Sequence, residues 1–163
     1  MDELVRGGAQ GEAELIDCVG PEFPAADETV DSASSPHFVR PGGQLIHGIS
    51  VVFRTADAAV RAAEVLRRTA FGRCLGESVI ADLIASPDDV EPLGADALPT
   101  KWGQRLSFTG ASAAGVLPIH LDLVVLETVD AVSLLFFADT PDPFPDEERT
   151  HVMECIRRRV HDR

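Results

Sequence analysis

Few residues in this chain are able to do covalent or metal chemistry: three cysteines (Cys18, Cys74, Cys155), five histidines and scattered serines. His151 and Cys155 stand four apart, a helical spacing that would aim both side chains at one ligand. A structural metal needs two further donors. No other segment offers a pair, and the cysteines have no zinc spacing. Cys155 stands between Val152 and Ile156, which predicts a thiol packed in the core as a small hydrophobe. A nucleophilic thiolate needs an electropositive, partly open site; Arg73 precedes Cys74, yet Leu75 and its helical stripe predict packing there. Ser50, in Gly48-Ile49-Ser50-Val51-Val52, lacks the second glycine of a nucleophile elbow and falls within a strand. Gly7-Gly8 and Gly42-Gly43 lack the Lys and Ser/Thr of a phosphate loop and read as turns. Asp88-Asp89 and Asp142/Asp146-Glu147-Glu148 adjoin prolines at element ends, where acids cap and solvate, and they lack the alternation of a calcium loop. We therefore expect no catalytic residue, no metal site and no cofactor.

His47, His120 and Asp122 are the binding candidates. Each lies within a strand pattern, and Asp122 follows His120 at period two on the same face. Polar residues on one face of an apolar strand mark either the solvent side or the lining of a pocket. In the second case the long 21–41 stretch would close a cleft over them.

The elements that must position these residues follow from periodicity. A short helix is predicted over Gly11 to Cys18 and is stopped by Gly20-Pro21. Residues 21–41, small, acidic and rich in serine and proline, read as a long surface loop with one short strand at Phe38-Val39. Residues 44–54 alternate as a strand, with Leu45, His47, Ile49, Val51 and Phe53 on one face. Thr55 is placed to cap a helix striped by Ala59, Ala62, Ala63, Leu66 and Ala70. A second helix is predicted from Gly72 to about Ile84. An edge strand follows at Val90 to Leu93, where Pro92 argues against a central position. Strands Gln104 to Thr109, Leu117 to Thr128 and Ala131 to Ala138 come next, the last two joined by the short Val129-Asp130 link of a hairpin. Acids in its first turn introduce a final helix with Val152, Cys155, Ile156 and Val160 as its stripe. The order helix, strand, two helices, several strands, helix predicts α+β: an antiparallel sheet of about five strands with helices packed on it.

Composition bounds the function. With 163 residues, 45% of them apolar, one domain with an ordinary core is expected. The 27 acidic residues against 14 basic ones give a net charge of -13, which repels nucleic acid and anionic lipid. The basic cluster Arg157-Arg158-Arg159 with Arg163 falls where cations complement a helix C-terminus. No stretch reaches the length of a membrane span, so the chain is not expected to be membrane-spanning. Met1-Asp2-Glu3-Leu4 has neither a basic start nor an apolar run, so no signal peptide is expected in it.

Two segments carry a resemblance. They are Val51-Val52-Phe53-Arg54-Thr55-Ala56-Asp57-Ala58-Ala59 and Leu66-Arg67-Arg68-Thr69-Ala70-Phe71-Gly72-Arg73-Cys74-Leu75, followed by hairpin strands and a final amphipathic helix. The chain is similar, over roughly residues 10 to 160, to the PknH-like extracellular sensor domains of actinobacteria. Gly7-Gly8 marks a flexible start over 1–9, and the resemblance implies a single sensor-like α+β domain over 10–163. It also implies a non-enzymatic ligand- or signal-binding role at the cell envelope or outside the cell, and a small-molecule or protein ligand of unnamed identity. It implies, too, a disulfide between Cys18 and Cys74, worth about 4 kcal/mol in the chain-entropy model. The alternatives are a cytoplasmic protein-interaction domain without a small-molecule pocket, which the missing signal peptide favours, and a cysteine-dependent enzyme.

Overall fold

In the computed structural model, the residues described are Cys18 and 20–40, 44–75, 90–98, 103–112 and 115–161. The architecture is α+β, built on one antiparallel sheet. The strands are β1 (Thr29–Ser34), β2 (Phe38–Val39), β3 (Leu45–Phe53), β4 (Val90–Ala97), β5 (Gly103–Ser112), β6 (Gly115–Glu127) and β7 (Ala131–Asp139). Their spatial order is β1-β3-β7-β6-β5-β4, and β2 pairs with β3 beside β1. Helix α1 (Ala56–Leu66), a helical segment at residues 69–75 and helix α2 (Asp146–His161) pack on this sheet.

The strands β6 and β7 are apolar at nearly every position because both of their faces are covered. Leu121, Leu123 and Val125 of β6, with Val132, Leu134 and Phe136 of β7, face one core. Ala58, Ala59, Ala62 and Ala63 of α1 close that core, each fully buried. Side chains this small let the helix lie close to the strands. Thr55 caps it, its Oγ1 accepting from the Ala58 N–H at 3.2 Å. Phe71 and Leu75 of segment 69–75 extend the same core. Val124, Leu126, Leu135 and Phe137 face the opposite way and form a second core with Phe144 and with Met153, Val152 and Ile156 of α2.

Cys18 and Cys74 form a disulfide, with Cα atoms 5.6 Å apart and a separation of 56 residues. The bridge fastens the chain beside Phe23 and Phe53, whose rings meet edge to face at 6.1 Å.

Several boundaries differ from those expected. The stretch 21–41 is not all loop: residues 29–34 add a strand to the free edge of β3. It shows no apolar alternation because five of its six residues face solvent. The strand at Val90 extends to Ala97 and is an edge strand, with a register shift between Pro92 and Gly94. The helical segment begins at residue 69, ahead of Gly72, and the Gln104 amide lies against the Gly72 backbone. The expected continuation to Ile84, the start over 1–9 and the helix from Gly11 up to Cys18 lie outside the described residues, although Cys18 itself is helical.

Candidate functional site

The two faces of the sheet divide the binding candidates. Strand partners in an antiparallel ladder point the same way, so each cross-strand row identifies a face. His47 is opposite Phe136, which is opposite Leu123, placing it on the α1 face. Asp122 is opposite Phe137, which is opposite Ile46, placing Asp122 and His120 on the α2 face. The structure brings His120 and Asp122 together and leaves His47 on the other side. No cleft is shared by all three. Residues 29–34 and 38–39 of the stretch expected to roof one lie in the plane of the sheet.

Asp122 is wholly buried under α2. Arg105, its cross-strand partner on β5, grips it in bidentate fashion, Nε to Oδ1 at 2.6 Å and Nη2 to Oδ2 at 2.8 Å. Arg149 of α2, 1% exposed, donates to Asp122 Oδ2 as well. Its second nitrogen donates to Asp146 Oδ1 at 2.6 Å in the first turn of the helix. Two cations and two anions thus balance across the helix–sheet contact, where a lone charge would be far too costly to bury. No motif in the sequence singles out Arg149. Its signal was position: 149, 152, 153 and 156 form one helical stripe.

His120 belongs to the same seam. Its Nε2 lies 3.0 Å from the Pro141 carbonyl, which can only accept, so Nε2 carries a proton. In the neutral ring Nδ1 then accepts from the Ser107 hydroxyl at 3.0 Å. Both nitrogens are occupied in joining β5 to the turn after β7. Thr140 Oγ1 ties that turn to the Pro118 carbonyl at 2.7 Å, and Gln44 donates to Asp139 at 2.7 Å.

His47 has a different setting. It is half-buried near the sheet edge, its ring 5.6 Å from Phe136 and 4.5 Å from the exposed His37, the latter pair nearly perpendicular. The Ser34 and Ser35 hydroxyls approach its two nitrogens at 3.4 Å each. Burial holds its pKa below the ordinary histidine value, and the neighbouring His37 pushes the same way. Contacts with the Ser35 and Pro36 backbone oppose this in part. Next to His37, Phe38 and Val39 are exposed, as is Val30 at the far end of β1, and among the described residues no strand pairs with the outer edge of β1.

The remaining candidates separate cleanly. Cys155 is not in the core as expected: it is half-exposed, with Sγ 3.7 Å from His151 Nε2, while Met153 takes the buried position. The Val160 side chain lies outside the described residues. Ser50 pairs with Ser133 across the strands at 2.7 Å between hydroxyls. Asp146, Glu147, Thr150, His151 and Glu154 line a shallow depression open to solvent on the outer face of α2. Among the described residues no three His, Cys, Asp or Glu side chains are grouped to hold a metal, and no helix is long and apolar enough to cross a membrane. Comparison of the chain with family models, with curated proteins and with solved structures finds no match.

Proposed function

We propose that this protein is a non-enzymatic, sensor-type binding domain of the cell envelope or extracellular space, and that it takes its small-molecule or protein ligand at the β1–β2 edge. The observation that carries this reading is the His37–His47 pair, set among the exposed Phe38 and Val39 beside β1, which among the described residues ends the sheet on this side. An edge of this kind offers aromatic faces, ring nitrogens and main-chain donors and acceptors to one ligand. Asp122 and His120, by contrast, have committed their polar atoms to the fold. The disulfide supports the location, since such bridges persist in oxidising compartments.

The test has two readouts. Thiol titration of protein taken from its native host should detect Cys155 alone before reduction and all three cysteines after it. NMR of the histidine rings, during titration with lipid, glycan and peptide fractions of the cell envelope, should shift His37 and His47 and leave His120 in place. Three reactive thiols in the native protein, with ring shifts produced by cytosolic proteins alone, would establish the cytoplasmic interaction domain instead.

A further inference from the structure

Residues 29–40 form a strap along the outer edge of β3, and its fastenings are few. Beyond the β1 and β2 ladders, the Ser35 N–H donates to the Gly48 carbonyl at 2.7 Å and the Gly48 N–H to Ser35 Oγ at 2.9 Å. Arg40 reaches Glu148 of α2 in an exposed ion pair, and the His37 ring lies on His47. Little apolar surface resists opening, because the strap is exposed along nearly its whole length. The absence of a side chain at Gly48 makes room for β7 and not for the strap: a Cβ there would meet Leu135 Cδ2 at 3.0 Å, with Ser35 Oγ 3.9 Å away.

We infer that the strap is an acid-released latch, in which protonation of the His37–His47 pair frees residues 29–40 from β3 and bares the pairing edge of that strand. The charge balance around the pair is what makes it a latch. Within β3 there is no charged residue, and β2 has none. Asp31 of β1 is opposite Val52, in a row that faces away from His47, and its carboxylate accepts the Ser32 N–H. On β7, Asp139 is on the far face, held by Gln44 and Thr140. Glu28 and Asp57 are paired with Arg61 at the other end of the strap, Glu127 with Arg67, and Glu148 with Arg40. Among the described residues, no carboxylate faces either ring. Two imidazolium ions would therefore meet at a centroid separation of 4.5 Å with no carboxylate of the described residues to neutralise them. The Ser34 and Ser35 oxygens are able to accept from a protonated ring, so burial and the second ring drive release, not lost hydrogen bonds.

The sign follows from linkage. A half-buried histidine held below its ordinary value stabilises the closed strap fully above about pH 6.5, and that contribution is lost as the pH falls through the closed-state value. The inference concerns the strap's own attachment and stands whether or not the edge takes a ligand.

Amide hydrogen exchange between pH 7.5 and 5, corrected for intrinsic rates, tests it. Protection at Ser35 and Gly48 should fall by up to about tenfold per pH unit for each proton taken up on opening. Val124 and Leu134 should keep theirs. His37→Gln, at an exposed position, should reduce this pH dependence and raise the midpoint of His47. His47→Phe should abolish it. Unchanged protection at Ser35 and Gly48 in the wild type overturns the proposal, as does a loss shared equally with Val124 or a pH dependence that survives both substitutions.

Discussion

The seam under α2 and the strap along β3 both place ionisable side chains against the same sheet, and they do so by opposite means. At the seam, charge is buried and balanced: Asp122 and Arg149 are almost without exposure, and each has an ionic partner. At the strap, His47 is half-buried with no counter-ion among the described residues, and its neighbour His37 is a group of the same sign when charged. Balanced charges fix one arrangement, because separating any member strands another in a low-dielectric interior. An unbalanced base gives an arrangement that depends on pH. The two histidines sharpen the point. His120 is pinned at both nitrogens by contacts of 3.0 Å, whereas the serine contacts of His47 are 3.4 Å.

Breaking the seam should have the largest effect. Asp122→Ala leaves Arg149 buried beside only Asp146, and we expect a loss of about 3–5 kcal/mol in urea unfolding. The double change Asp122→Leu with Arg149→Met should cost much less than the single, since the stranded charge goes with its partner. Next comes the bridge. Cys18→Ser with Cys74→Ser should lower stability by about 2–4 kcal/mol in the same assay. Ser35→Ala removes the acceptor of the Gly48 N–H, for about 1 kcal/mol. That loss should show as faster exchange at the strap, with the global midpoint almost unmoved; an equal fall in global stability would mean that strap and seam are one cooperative unit. Smallest is Arg40→Gln at the exposed pair with Glu148, expected to change unfolding by about 0.5 kcal/mol or less and to be masked by salt.

What the sequence made legible was set by how each element is buried. The strands at 45–53, 115–127 and 131–139, and the helix behind Thr55, were readable because alternation, stripe and cap are local signals. β1 was not, since its residues touch only the edge of β3 and carry no apolar pattern. Asp122 and His120 stand out in the sequence as polar residues in an apolar strand, but their faces depend on which partner strand each meets. His47 and Asp122 fall on opposite sides only because Phe136 and Phe137 are adjacent in β7. Arg149 is not legible as buried, because a charged helical residue ordinarily faces solvent. The stripe predicted from apolar residues runs through Cys155, whereas the buried positions are Arg149 and Met153.

The disulfide also decides how the domain would carry mechanical load. A pull applied to the chain before Cys18 and after His161 reaches Cys74 directly through the sulfurs. Strap, β3 and α1 then bear tension only through their pairing with the rest of the sheet. While the bridge holds, its 56-residue span, roughly 190 Å of extended chain, cannot be paid out. Reduction of one covalent bond would therefore change the domain's reach under force as well as its stability.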